Sequence, residues 1–150
     1  MGPGPAASFL NRAERLGFGA VTAAAVALWA WLPVLPTYDT LASMVWAQEL
    51  LDGQLPGFDD YRAPTEHPLW LVLSVFTALF GDAGARVMTL ISVLAFVALG
   101  IGMYVLVRTA WGRGAAVVAV VLLFTRLNLG FWAAFAFLDI AFAAWGRTIS

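Results

Sequence analysis

Val87-Met-Thr-Leu-Ile-Ser-Val-Leu-Ala-Phe-Val-Ala-Leu-Gly-Ile-Gly-Met-Tyr-Val-Leu-Val107 contains no charged residue, and its reading decides the solvent in which this chain folds. About 20 apolar residues in one helix cross a ~30 Å hydrocarbon layer. Two further runs flank it: Leu16–Leu35 upstream, and Ala115–Leu138 downstream, the latter interrupted by Arg126 and Asn128. Beyond Asp139, Ile140–Trp145 opens another apolar stretch. The expectation is an all-α, polytopic helical membrane protein, with about three to four transmembrane helices and juxtamembrane helices in a long first outer loop.

Composition agrees. The chain is 62% hydrophobic and 11% charged, where soluble domains run to roughly 45–50% and about 25%. Its mean hydropathy is +0.86. A net charge of −1 offers no general attraction to nucleic acid, so no nucleic-acid partner is expected. With no cysteine, disulfides, thiolate metal sites and cysteine nucleophiles are excluded. Any catalysis must rest on carboxylates, arginines, the single His67 or hydroxyls.

Orientation follows from the arginines. Arg12 and Arg15 precede the Leu16–Leu35 run, a pattern shared by signal peptides and first spans. The run is long enough to cross, and it ends in Trp29, Trp31, Pro33 and Pro36 instead of a small-residue cleavage site. We read an uncleaved span, with residues 1–15 as a cytoplasmic tail and 16–150 as the membrane region. Pro68–Phe80 is apolar but reaches only about 20 Å as a helix. If it lies in the outer interface, Val87–Val107 carries Arg108 and Arg113 inward, and the next stretch returns Asp139 outward to the face of Asp39. If it crosses, Arg108 and Arg113 lie outside. Length and the positive-inside rule favour the first topology. Residues 36–86 then form an outer loop holding Asp39, Glu49, Asp52, Asp59, Asp60, Glu66 and Asp82, seven of the nine acidic residues.

Within that loop, Thr40–Leu51 reads as a helix, with Asp39 as N-cap and Gly53 as the stop. Leu41, Met44, Val45 and Leu51 cluster on one side, and Trp46 suits a membrane interface. Glycines and prolines forbid regular structure from Gly53 to His67, and Pro68 suits the first position of the following helix.

Several residues could carry chemistry. Asp39 at a membrane boundary is a candidate base or simply a helix cap. Arg126 in an apolar stretch suits a phosphate or a partner carboxylate, unless the span ends at Thr125 and its side chain reaches the interface. Asp139 could meet Asp39 or fix a turn. Asp59 and Asp60 could hold a divalent cation or stay solvated. His67 is either an N-cap or a catalytic or phosphate-binding group.

The run Tyr38-Asp39-Thr40, Trp46-Ala-Gln-Glu-Leu-Leu-Asp-Gly53-Gln-Leu-Pro56, then Arg62-Ala-Pro-Thr-Glu-His67-Pro68-Leu69, with Leu138-Asp139-Ile140 later, resembles the N-terminal region of GT-C membrane glycosyltransferases. The likeness is to the branch akin to protein mannosyltransferases and aminoarabinose transferases. It implies sugar transfer from a polyprenyl-phosphate donor to an acceptor at the outer face of the plasma membrane. By that resemblance Asp39 is the general base and Asp139 orients acceptor or donor. His67, with Arg62, Arg86 or Arg126, offsets charge on the leaving phosphate. Family members are several times longer, so the chain reads as a fragment of a longer enzyme, inactive alone, or as a shortened homologue. Asp39 is followed by Thr40, so the adjacent acid pair of some relatives is missing there, and metal dependence stays open. Two other classes remain: a small accessory protein of lipid-linked sugar handling, and a transporter fragment using Arg126 and Asp139 as an intramembrane path.

Overall fold

The computed structural model describes residues 10–33, 36–57 and 68–126. Among them there is no strand, and the elements are helices throughout: α1 (Arg12–Trp31), α2 (Tyr38–Leu51), α3 (Pro68–Ala78), a single 3-10 turn (Gly81–Ala83) and α4 (Gly84–Phe124).

Each boundary has a local cause. At the start of α1, Asn11 Oδ1 accepts from the Glu14 N–H at 2.9 Å and the Asn11 N–H donates to Glu14 Oε2 at 2.8 Å, closing a capping box. The helix ends at Leu32, which turns extended before Pro33. The cap of α2 is Thr37, whose hydroxyl accepts from the Thr40 N–H, so Asp39 lies inside the first turn and not at the cap. The threonine precedes two residues that already have helical geometry, and it takes the free N–H first. At the other end Gly53 has φ 73°, with Gly53 N–H on Leu50 O and Gln54 N–H on Glu49 O. This left-handed glycine stop is the one expected. Pro68 opens α3 as expected.

α4 continues past Val107 and breaks only at Gly112, whose φ of 86° interrupts the helix. Phe124 packs edge-on against Phe96 at 5.3 Å between ring centroids. A Cβ on Gly100 would overlap the Phe124 ring. Gly100 and Phe124 stand at equal sequence distance from Gly112, so the limb 113–124 runs back along the limb 84–111. The expected third stretch therefore ends its described helix at Phe124, with Thr125 as cap.

Packing is of α1 on α4, α2 on α3, and α3 on the start of α4. The buried face of α2 is Thr40, Ser43, Trp46 and Ala47, and that of α3 is Trp70, Ser74 and Thr77. Trp46 thus points into the protein and not to an interface, while Leu41, Val45 and Leu51 point out. Ser74, Thr77 and Ser92 are fully enclosed, whereas Trp31 (82%), Val72 (65%) and Leu79 (68%) are open. Small hydroxyl residues thus share the interior with Trp70 and Met88, while many large apolar side chains face outward, unlike the surface of an ordinary water-soluble core. Several of these hydroxyls donate within their own helices, Ser43 to Asp39 O, Thr89 to Ala85 O and Ser92 to Met88 O, whereas Ser74 Oγ and Trp70 Nε1 are enclosed without a hydrogen-bond partner among the described residues.

Among the described residues one segment, Gly81–Phe124, is long and apolar enough to cross a membrane, and only 22% of its most apolar window is buried within the protein. Its first limb, 84–111, reaches about 42 Å, and the second, 113–124, only about 18 Å. α1 has the length of a span, but Arg12, Glu14 and Arg15 crowd its first turn. α3 is too short to cross, as its sequence indicates.

At Gly84 a Cβ would stand 2.7 Å from Thr77 O and 3.0 Å from Met44 Cε, where α2, α3 and α4 converge. Gly84→Ala is expected to cost about 1–3 kcal/mol through this overlap. Gly19→Ala, with nothing within 4 Å, should be neutral or stabilising. Thermal unfolding in detergent separates them: equal melting temperatures for the two variants would refute the packing at Gly84.

Candidate functional site

The α1–α4 pair has two polar ends. At the first, Glu14 is the hub. Its Oε2 accepts from Arg108 Nη1 at 2.6 Å as well as from the Asn11 N–H, and its Oε1 accepts from Tyr104 Oη at 2.8 Å, with Arg113 Nε at 3.4 Å. The side chain is only 10% exposed. Burial alone would raise its pKa. The Asn11 N–H, the Tyr104 hydroxyl, and the charges of Arg108 and Arg113 outweigh that and hold it below the ordinary carboxylate value. Phe18 supports the site by meeting the Tyr104 ring edge-on at 5.4 Å. Arg108 and Arg113 therefore gather at the same end as Arg12 and Arg15.

The second end is built by Arg86. Its Nη2 donates to Ala30 O at 2.6 Å and Trp29 O at 3.3 Å, the carbonyls left over where α1 stops. In return Trp29 Nε1 donates to Arg86 O at 3.1 Å, and the guanidinium lies 5.2 Å from the centroid of the Trp29 ring. α1 has no basic residue in its own last turn, and Arg86 supplies that charge from α4. The residue singled out as a phosphate ligand thus has one amino group committed to a helix end.

Asp39 lies beyond that same end, exposed, in the first turn of α2, where the helix dipole favours an anion. Its backbone carbonyl holds Ser43 Oγ at 2.8 Å. Arg126 follows the cap of α4, exposed, close in sequence to Phe124 and so near the middle of the first limb rather than at either polar end. Asp139, His67, Arg62, Asp59 and Asp60 lie outside the described residues. Among the described residues no three His, Cys, Asp or Glu side chains gather as a metal site.

Glu14 and Tyr104 escaped the sequence reading. Asn11-Arg-Ala-Glu14 matches the capping-box spacing and could have placed the Glu14 backbone contact. Its ties to Tyr104 and Arg108 span some ninety residues and leave no local signal.

A carboxylate with a lowered folded pKa stabilises fully above its unfolded value, and that contribution is lost as pH falls through the folded value. Glu14→Gln should therefore lower the melting temperature at pH 7, and the deficit should shrink once the pH drops below the usual carboxylate range. Melting curves from pH 7 to pH 3 test this. A deficit that grows on acidification would reverse the sign and reject the assignment.

No protein-family model, curated protein or solved structure matches this chain.

Proposed function

We propose that this chain is the multi-pass N-terminal region of a GT-C-like membrane transferase, moving a sugar from a polyprenyl-phosphate donor to an acceptor at the extracytoplasmic face of the plasma membrane. The observation that carries the reading is the separation of charge along the α1–α4 pair. Arg108 and Arg113 join Glu14 at one end, while Asp39 follows the opposite end, marked by Arg86 and Trp29. The positive-inside rule then assigns Asp39 to the outer surface.

There the Asp39 carboxylate takes the proton of an acceptor hydroxyl. The oxygen attacks the anomeric carbon with inversion, and the lipid phosphate leaves with the bonding electrons. Asp139 orients a substrate. His67 and Arg62, with the Arg86 donors not directed at α1, compensate the charge on the departing phosphate. A divalent cation at Asp59 and Asp60 fits the same chemistry. The exposed carboxylate of Asp39 suits a base better than that of Glu14, whose oxygens are already occupied by four donors.

The mid-depth position of Arg126 favours a second reading, transport of an anionic substrate, in which Arg126 lines the path. Asp39→Asn separates the two. In the full-length protein it should lower sugar transfer by about 10²–10⁴-fold while membrane insertion is unchanged, and undiminished transfer would reject the catalytic role. The natural absence of cysteine makes topology directly testable. Cysteine at Gln54 should react with an impermeant maleimide added outside intact cells, and cysteine at Thr109 only after permeabilisation. Labelling of both from one side would overturn the orientation.

A further inference from the structure

A groove of about 390 Å³ runs between α1 and the returning limb of α4, at the end opposite Asp39. Its floor is apolar: Gly17 and Val21 from α1 face Val117, Val121 and Phe124. A Cβ on Gly17 would meet nothing within 4 Å, so the glycine keeps that wall open. The groove is closed at one end by Glu14 and Tyr104, that is, by the arginine-bearing hub.

Charge at this end is unbalanced. Four arginines (Arg12, Arg15, Arg108 and Arg113) accompany the single carboxylate of Glu14 among the described residues. Arg108 is drawn tightly onto Glu14, but Arg113 meets it only through Nε at 3.4 Å, and its side chain stays 64% exposed. The amino face of its guanidinium fork is the part that pairs with phosphate oxygens. No arginine lines the trough itself, but Arg113 stands at its Glu14 end, so an anionic lipid could lay its chain along the valines and set its headgroup against that guanidinium. Basic pockets between membrane helices on the cytoplasmic side hold such headgroups.

We propose that this groove is a binding site for an anionic phospholipid of the cytoplasmic leaflet, with Arg113 as the principal headgroup ligand. The inference rests on the membrane reading and orientation but not on sugar transfer. It adds a lipid site on the face away from Asp39.

Native mass spectrometry of the full chain, released from detergent after exposure to phosphatidylglycerol or phosphatidylcholine with the same acyl chains, tests it. The expected result is several-fold higher retention of phosphatidylglycerol. Arg113→Gln should reduce that to the phosphatidylcholine level, Arg113→Lys should keep part of the preference, and Val121→Trp should diminish both adducts by filling the trough. Inorganic phosphate at equal concentration should not displace the lipid. Equal retention of the two lipids, a preference that survives Arg113→Gln, displacement by phosphate alone, or a lipid-free dimer in which a second copy fills the groove would each overturn the proposal. Arg113 is exposed, so its substitution tests the site even where Val121→Trp disturbs folding. Asp39→Asn should leave the lipid preference unchanged, so this site and the transferase reading fail separately.

Discussion

The structure depends on a single carboxylate. Glu14 begins as a local device, accepting at its own helix start, and becomes a long-range one because Tyr104 and Arg108 reach the same two oxygens. An ion this enclosed is tolerable only when its partners are complete, since a bare charge in a low-dielectric setting is far costlier than a paired one. Removing Tyr104 or Arg108, the close donors, therefore penalises the whole cluster, whereas the exposed Arg113 at 3.4 Å adds little. The consequence is geometric: the first turn of α1 is held beside the last turns of the long limb of α4. Arg86 fixes the other end by donating to the final carbonyls of α1. Two polar fastenings, at opposite ends of one helix pair, set both direction and register. Between them the contacts are apolar and would permit sliding.

The large apolar side chains left on the outside bear on why polar fastenings matter. Where the surroundings are as apolar as leucine, burying leucine gains little, and helices associate through close packing of small side chains and through hydrogen bonds. Thr40, Ser43 and Ala47 on α2, with Ser74 and Thr77 on α3, provide that close surface. Ser43 and Thr77 return their hydroxyl protons to carbonyls of the same helix, which lets those polar atoms sit in a dry interface, while Ser74 Oγ is left without a partner there. Gly84 serves the same end, admitting α4 to the backbone of α3 where a methyl group would not fit.

Much of this was legible in the sequence because it was local or followed from composition. The helix at Val87–Val107, the stop at Gly53, the proline start at Pro68 and the inadequate length of α3 all arise within a few residues. What escaped was decided elsewhere. Gly112 is one of four glycines between Gly100 and Gly114, and nothing near it announces that it, and not Gly102, takes a positive φ. The choice belongs to the packing of Phe124 on Gly100 and Phe96. The cap of α2 fell to Thr37 because Asp39 lies two residues inside the turn, and Trp46 turned inward because α3 presents a surface there that sequence alone does not show. The partner proposed for Asp39, Asp139, lies outside the described residues, so their meeting remains a proposal.

The two kinds of acidic group in this chain illustrate what distinguishes a structural carboxylate from a chemical one. A base must find its proton outside the protein, so it needs an oxygen not already claimed and a position substrate can reach. Glu14 fails both requirements: its oxygens are shared among four donors and its basicity is depressed by them. Asp39, the proposed base, is exposed at the start of α2, on a helix that is itself capped by Thr37 rather than by the aspartate. That substitution of caps bears on the role proposed for Asp39. Had Asp39 been the cap, its carboxylate would have been bound to the backbone of its own helix. Because Thr37 takes that task, the carboxylate can face a substrate, and the same small departure from the sequence expectation makes the catalytic assignment chemically reasonable.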